Sequence, residues 1–464
     1  MKLKRIFALL IAAVMIISLA AVNVSAAKTT KGVALNKTSA SVTAGKYITL
    51  KPTVTGYKKY TLVWSTSNKD VAAVTAGGKV TGKKAGTATI TVKIKGTSYK
   101  ATCKVTVKKA AAKTSNTNKT TVSSGNAMEF VKNIKIGWNL GNTLDCTDTW
   151  ISGGPKNYET AWGNPVTTED MIKTVKKAGF NAVRIPTSWG EHTDKNNKID
   201  EAWMKRVKEV VDYAIDNDMY VILNMHHEND WLKLTDKEKA AAQKRFKAIW
   251  EQICKTFKNY DEHLIFEAMN EPKTDGSAQE WNGGTKAERD IVNEYNQIFV
   301  DTVRASGGNN KTRYIMVTPY AASSSPSALK ALKVPDDDRV IVSVHAYIPY
   351  NVALNAGSGD KELTDNYKRE MDYFFKNLND IFIKKGHAVI IGEFGTINKK
   401  NNAERIKIAK YYVSEAKKLG IPCFWWDNGA FGENGPNESF GLFDRRNLTW
   451  KFNEIVKALI SSAK

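Results

Sequence analysis

The sequence predicts a (β/α)8 barrel preceded by a small all-β sandwich. Three observations carry this reading. From residue 130 onward, eight short apolar runs recur about 40 residues apart. Stretches of helical period fill the intervals between them. Before residue 108 the texture differs: short β-branched or alternating runs are punctuated by Gly and Asn. Strand-helix alternation specifies a parallel sheet, and eight repeats fit a closed barrel better than a doubly wound sheet.

The elements follow in chain order. Lys2, Lys4 and Arg5 precede an uncharged, mostly apolar run, and Val24-Ser25-Ala26 offers small residues for cleavage. Residues 1–26 therefore read as a secretory signal peptide, and a secreted protein is expected. No later run is long enough to cross a bilayer, so the mature protein should be soluble. Residues 28–108 read as a β-sandwich, with strands at 47–50, 60–64, 88–92 and 103–107. Residues 109–125 are Ala, Lys, Thr, Ser and Asn without apolar period, the composition of a flexible linker.

The barrel domain is placed at 126–464. Its strands are read at 134–139, 182–186, 220–226, 264–270, 313–319, 340–347, 388–394 and 423–427. Helices are read at 168–178, 201–217, 236–257, 286–305, 364–385 and 403–419. Gly179, Gly386 and Gly420 stand where helix C-caps belong. The crossover before Val340 is short and irregular.

The net charge of +22 is unevenly spread. Residues 28–120 hold 19 Lys, no Arg and a single acid, Asp70, hence +18. The barrel domain is near neutral. An exported chain without a nucleic-acid-binding motif excludes nucleic acid as partner. The basic module is suited either to an anionic cell wall or simply to solubility and edge protection. Cys103, Cys146, Cys254 and Cys423 are far apart and lack metal-ligand spacing, so buried free thiols are expected.

Active sites of such barrels lie at the C-terminal strand ends. Those ends are polar and aromatic here: Asn139 and Asn142, Arg184, His226-His227, Asn270-Glu271, His345-Ala346-Tyr347, Glu393 and Trp425-Trp426. Glu271 on the fourth strand and Glu393 on the seventh would face each other across the mouth. Paired carboxylates are what glycoside hydrolysis requires: one protonates the leaving oxygen, the other attacks or stabilises the anomeric carbon. Neighbours along a strand point to opposite faces, which opposes a metal site on His226-His227 and leaves Trp425 and Trp426 as rivals for the inward face. Glu267 lies deeper on the face of Glu271 and reads as a structural partner. His192 and Trp231 are placed either in outer sugar subsites or in loop packing.

The chain resembles two known families. Residues 30–108, with Trp64-Ser65-Thr66-Ser67-Asn68 and Ala85-Gly86-Thr87-Ala88-Thr89-Ile90, resemble bacterial immunoglobulin-like domains of group 2. Residues 128–462 resemble glycoside hydrolase family 5, subfamily 4. The resemblance rests on Gly137-Trp138-Asn139-Leu140-Gly141-Asn142, Asn181-Ala182-Val183-Arg184-Ile185-Pro186, Asn270-Glu271-Pro272, Ile391-Gly392-Glu393-Phe394-Gly395 and Trp425-Trp426-Asp427-Asn428-Gly429. It implies Glu271 as acid/base and Glu393 as nucleophile, with retention of configuration. It implies Arg184 and Tyr347 on the nucleophile, Asn270 on the sugar 2-hydroxyl, His226 and His345 lining the cleavage subsite, and Trp426 beneath the sugar. Glu271, without an obvious cationic partner, should stay protonated.

A secreted endo-β-1,4-glucanase follows from this resemblance, acting on cellulose, mixed-linkage glucan or xyloglucan as a monomer and without a cofactor. A xyloglucanase, lichenase, xylanase or β-mannanase fits the same scaffold. The competing class is a non-catalytic surface carbohydrate-binding protein, which would need neither carboxylate.

Overall fold

The computed structural model describes residues 30–108, 125–433, 435 and 437–464, arranged as two compact units. The signal-peptide reading at 1–26 and nearly all of the linker at 109–125 lie outside the described residues.

Among the described residues of the N-terminal unit nine strands form: β1 (Gly32–Leu35), β2 (Ser39–Thr43), β3 (Tyr47–Thr49), β4 (Pro52–Thr55), β5 (Leu62–Thr66), β6 (Ala72–Val74), β7 (Lys79–Gly82), β8 (Gly86–Ile94) and β9 (Lys100–Lys108). One sheet runs β2-β9-β8-β5, a second β3-β7-β6, and β1 pairs with β4. Strand period decides the packing. Cys103, Val105 and Val107 of β9 are buried, while Lys100, Thr102, Lys104, Thr106 and Lys108 are exposed. Trp64 lies partly buried against this core.

In the second unit eight parallel strands close a barrel. They are β10 (Gly137–Asn139), β11 (Ala182–Ile185), β12 (Tyr220–Asn224), β13 (Leu264–Glu267), β14 (Ile315–Val317), β15 (Val340–His345), β16 (Ala388–Phe394) and β17 (Cys423–Trp425). Each is followed by a helix: Glu169–Ala178, Glu201–Ile215, Lys239–Phe257, Lys286–Ala305, Pro326–Ala331, Asp365–Ile381, Asn402–Lys418 and Asn453–Ser462. The irregular fifth crossover resolves into the six-residue helix Pro326–Ala331. Thr168, Asp200, Thr285 and Thr364 cap their helices through side-chain oxygens. Gly179, Gly386 and Gly420 all take positive φ at helix ends.

The first strand is shorter than the apolar run that announces it. Ile134 belongs with Ala127, Phe130 and Val131 to a plug beneath the barrel. Phe130 stacks on Tyr314 with ring centroids 3.7 Å apart. Above this plug Ile222, Ile265, Met316, Ile341, Ile390 and Phe424 fill the lumen. Gly137 is paired with Phe424 across the barrel seam, and a Cβ there would fall 2.0 Å from the ring. The glycine is what lets Phe424 occupy the axis. The lower lumen is therefore sealed and apolar, and polar chemistry begins one layer higher.

Candidate active site

That polar layer is organised around Arg184, which is fully buried on β11. Its Nε donates to Glu267 at 2.7 Å, and Nη1 to Glu393 at 2.6 Å and Asn139 at 3.1 Å. Nη2 donates to Asn270 at 2.8 Å. Glu267 also accepts from Ser343 at 2.5 Å, so it anchors the guanidinium from below. Burial opposes the charge on Arg184, but the two carboxylates outweigh it and hold the group cationic.

Glu393 ends β16 and is almost fully buried. One oxygen takes the Arg184 bond. The other accepts from the Tyr347 hydroxyl at 2.7 Å. Burial and then the Glu393 charge raise the Tyr347 phenol well above its usual pKa, so it remains a donor. Two charge-assisted donors on separate oxygens fix the carboxylate in position.

Glu271 stands beyond the end of β13, and the expectation of a missing cationic partner fails here. His345 Nδ1 lies 2.8 Å from its Oε1 and 3.8 Å from Glu393. Burial pushes the Glu271 carboxyl up, but the His345 hydrogen bond and charge, with His227 and Arg184, leave it below its usual value. His345 is shifted the other way: burial lowers it, and Glu393 and Glu271 more than reverse this. The two groups share one titrating proton. Nε2 of His345 is buried without a partner, which disfavours a proton there. Oε2 of Glu271 carries no hydrogen bond among the described residues and belongs to a partly exposed side chain. It is the oxygen left open to pass a proton to a leaving group, with His345 as the proton's reservoir.

One oxygen of Glu271, one of Glu393 and a nitrogen of His345 lie within 4.8 Å of one another. Retaining glycosidases hold their carboxyls about 5–5.5 Å apart, and inverting ones about 6.5–9.5 Å. The nearest oxygens of the two carboxylates thus approach one another across the mouth of the barrel, an arrangement compatible with the shorter class.

Asn270 gives its carbonyl oxygen to Arg184, which leaves its amide N–H groups for a ligand. Trp426 lies parallel to His226, with 1° between ring planes and 5.8 Å between centroids. Trp425 is wholly buried and donates to the Phe440 carbonyl at 3.1 Å. The inward indole is Trp426.

His226 and His227 do come together with Asp145, all within 4.8 Å, because β12 ends at Asn224 and strand alternation no longer separates them. These groups are otherwise committed. Asn224 accepts from Thr187 N at 3.0 Å, so its amide donates to His226 Nδ1 at 3.0 Å. His226 is thus the tautomer with hydrogen on Nε2. Burial, and then repulsion between its protonated form and His227, Arg184 and His345, hold it neutral. Asp145 spends both oxygens on the Asn142 and Thr143 N–H groups.

His192 and Trp231 turn out to pack. His192 stacks on Trp203 at 3.5 Å, and Trp231 donates to Glu228 at 2.5 Å beneath Arg245. Sequence reasoning missed the exposed aromatics of the strand-end loops: Trp150, Trp281 and Tyr350 are 61%, 62% and 56% exposed. Trp281 is braced by Lys273, two residues beyond Glu271, whose ammonium lies 4.8 Å from the ring centre. Their signal was a large aromatic in the segment between a strand end and the next long helix. It also missed Asp427 as a hub, which accepts from Trp138 Nε1, Leu442 N and Phe443 N. All four cysteines are buried and free.

Residues 144–432 match the cellulase family, glycosyl hydrolase family 5, and residues 29–105 the bacterial Ig-like domain of group 2. Endoglucanase A of Clostridium longisporum is 48% identical over 342 residues, spanning 73% of this chain and 66% of that protein. Endoglucanase A of Ruminococcus albus is 46% identical over 347 residues, spanning 73% of this chain and 93% of that protein. Among solved structures, the GH5-4 broad specificity endoglucanase from Clostridium longisporum superposes with a TM-score of 0.71 at 47% identity, covering 73% of this chain and 98% of that one. The chain belongs to glycosyl hydrolase family 5, among its endoglucanases, and carries a group 2 bacterial Ig-like domain ahead of its catalytic barrel.

Proposed function

We propose that the protein is exported and cleaves internal β-1,4 bonds of β-glucan chains by double displacement. Glu393 is the nucleophile and Glu271 the acid/base. The observation that carries this reading is that the two carboxylates bring oxygens within 4.8 Å of each other, while Arg184 and Tyr347 donate to Glu393 and not to Glu271.

The steps follow from the hydrogen bonds. A sugar resting on Trp426 presents its anomeric carbon to Glu393. Oε2 of Glu271 protonates the glycosidic oxygen as that bond breaks, and a glycosyl ester forms on Glu393. Asn270 and His226 donate to ring hydroxyls. Glu271, now a carboxylate held by His345, takes a proton from the water that cleaves the ester.

Substrate breadth is part of the proposal. A lichenase from Caldicellulosiruptor sp. F32 and a xyloglucan-specific endo-β-1,4-glucanase superpose with TM-scores of 0.69, at 46% and 41% identity. The exposed Trp150, Trp281 and Tyr350 supply flat surfaces for outer sugars whatever their linkage. Reducing-sugar release is expected from carboxymethylcellulose, barley glucan and xyloglucan, and little from mannan. Preference for mannan, or no release from any polymer, would overturn the reading. The enzyme is proposed to act as a monomer, with the basic N-terminal module attaching it to anionic wall material.

The shared proton makes a pH prediction. The pair holds it below the raised pKa of His345 and loses it as pH rises through that value. His345→Asn removes the imidazole from this titration. The alkaline limb of kcat/KM should then move to lower pH, toward the carboxylate range, by about one unit or more. An unmoved limb would show that His345 does not set the proton.

A further inference from the structure

We infer that the outward face of the sheet β2-β9-β8-β5 binds a polyuronate, a linear polysaccharide carrying a carboxylate on each sugar. The inference rests on the reading that the basic module attaches to anionic wall material. That face presents hydroxyl side chains, lysines and Val63, and no carboxylate. Lys100, Lys104 and Lys108 run along β9 four residues apart, roughly 13–14 Å at the antiparallel rise. Lys93 stands directly opposite Lys100. Like charges so placed destabilise a sheet, and the isolated module draws no benefit from them.

Edge protection does not account for this pattern, because β8 and β9 are the two inner strands of their sheet. None of these four lysines makes an ion pair among the described residues, so their charge is available to a partner. Large aromatics are absent from the face, so it is no stacking platform for neutral sugar. Ammonium groups pair with carboxylates, while Thr91 and Thr102, opposite each other between the lysines, meet sugar hydroxyls. A polyuronate offers carboxylate and hydroxyl on each residue, whereas a polyphosphate offers charge alone.

The test is affinity electrophoresis of the mature chain in gels holding polygalacturonate, inorganic polyphosphate or neutral dextran. The triple variant Lys100→Thr/Lys104→Thr/Lys108→Thr keeps strand propensity and removes the β9 stripe. Lys58→Thr/Lys59→Thr/Lys84→Thr removes the same charge from exposed turns. Activity on soluble β-glucan should be unchanged in both. Retention by polygalacturonate should weaken about 30-fold or more in the first variant and less than about threefold in the second, with strong salt dependence. Equal weakening in the two would reduce the effect to bulk charge and overturn the face. Tighter retention by polyphosphate would overturn the polyuronate but keep anionic attachment. No retention by either polyanion would overturn both.

Discussion

Glu393→Ala should lower turnover on β-glucan by about 10⁴-fold or more, because no covalent intermediate can form. The cavity left beside Arg184 and Tyr347 can admit a small anion. Added azide should therefore restore cleavage of an activated aryl β-cellobioside and yield the α-glycosyl azide, the product of one displacement. Rescue giving the β-azide would move the nucleophile elsewhere. Glu271→Gln fails differently. Aryl glycosides with good leaving groups need little protonation, so they should keep their first step while natural glucans lose it.

Arg184→Met should cost both stability and rate. The guanidinium joins Glu267, Glu393, Asn139 and Asn270, all buried. Removing it leaves two buried carboxylates without their cation. Breaking a buried ion pair from one side typically costs about 3–5 kcal/mol. For a domain of this size that is a fall in Tm of roughly 4–7 °C. Glu267→Gln/Arg184→Met, which neutralises the deeper carboxylate as well, should recover part of the stability but little of the activity. If Arg184→Met alone keeps its Tm, the arginine is not the keystone of the polar layer.

Much of this was legible in the sequence, for physical reasons that differ by residue. Eight apolar runs at regular intervals announce a barrel because each strand must be buried on both faces. Arg184, Glu271 and Glu393 were visible because a charge within a buried run needs a purpose. Glu267 was visible as a structural group because it shares a strand face with the site and lies below it. Alternation alone left Trp425 and Trp426 as rivals, the resemblance pointed to Trp426, and the structure buries Trp425 against the Phe440 carbonyl.

What stayed hidden depends on distance through space. The His345 hydrogen bond to Glu271 joins strands 74 residues apart, and no local pattern announces it. The alternation rule misjudged His226 and His227 because β12 stops at Asn224 and the chain turns before either ring is placed. His192 and Trp231 sit at the expected height but are drawn into packing by Trp203 and Glu228. Ile134 passed for a strand residue because a plug beneath a barrel is as apolar as a strand within it.

The claim on which the rest depends is the proposal that Glu393 attacks the anomeric carbon while Glu271 serves as acid and then base. Proton NMR of the reducing end formed in the first minutes of cello-oligosaccharide hydrolysis tests this directly, before mutarotation mixes the anomers. Two displacements return the β-configuration, so the β-anomer signal should appear first and the α-signal should grow in only as mutarotation proceeds. An α-anomer formed first would mean single displacement by water, and would contradict the nucleophilic role of Glu393.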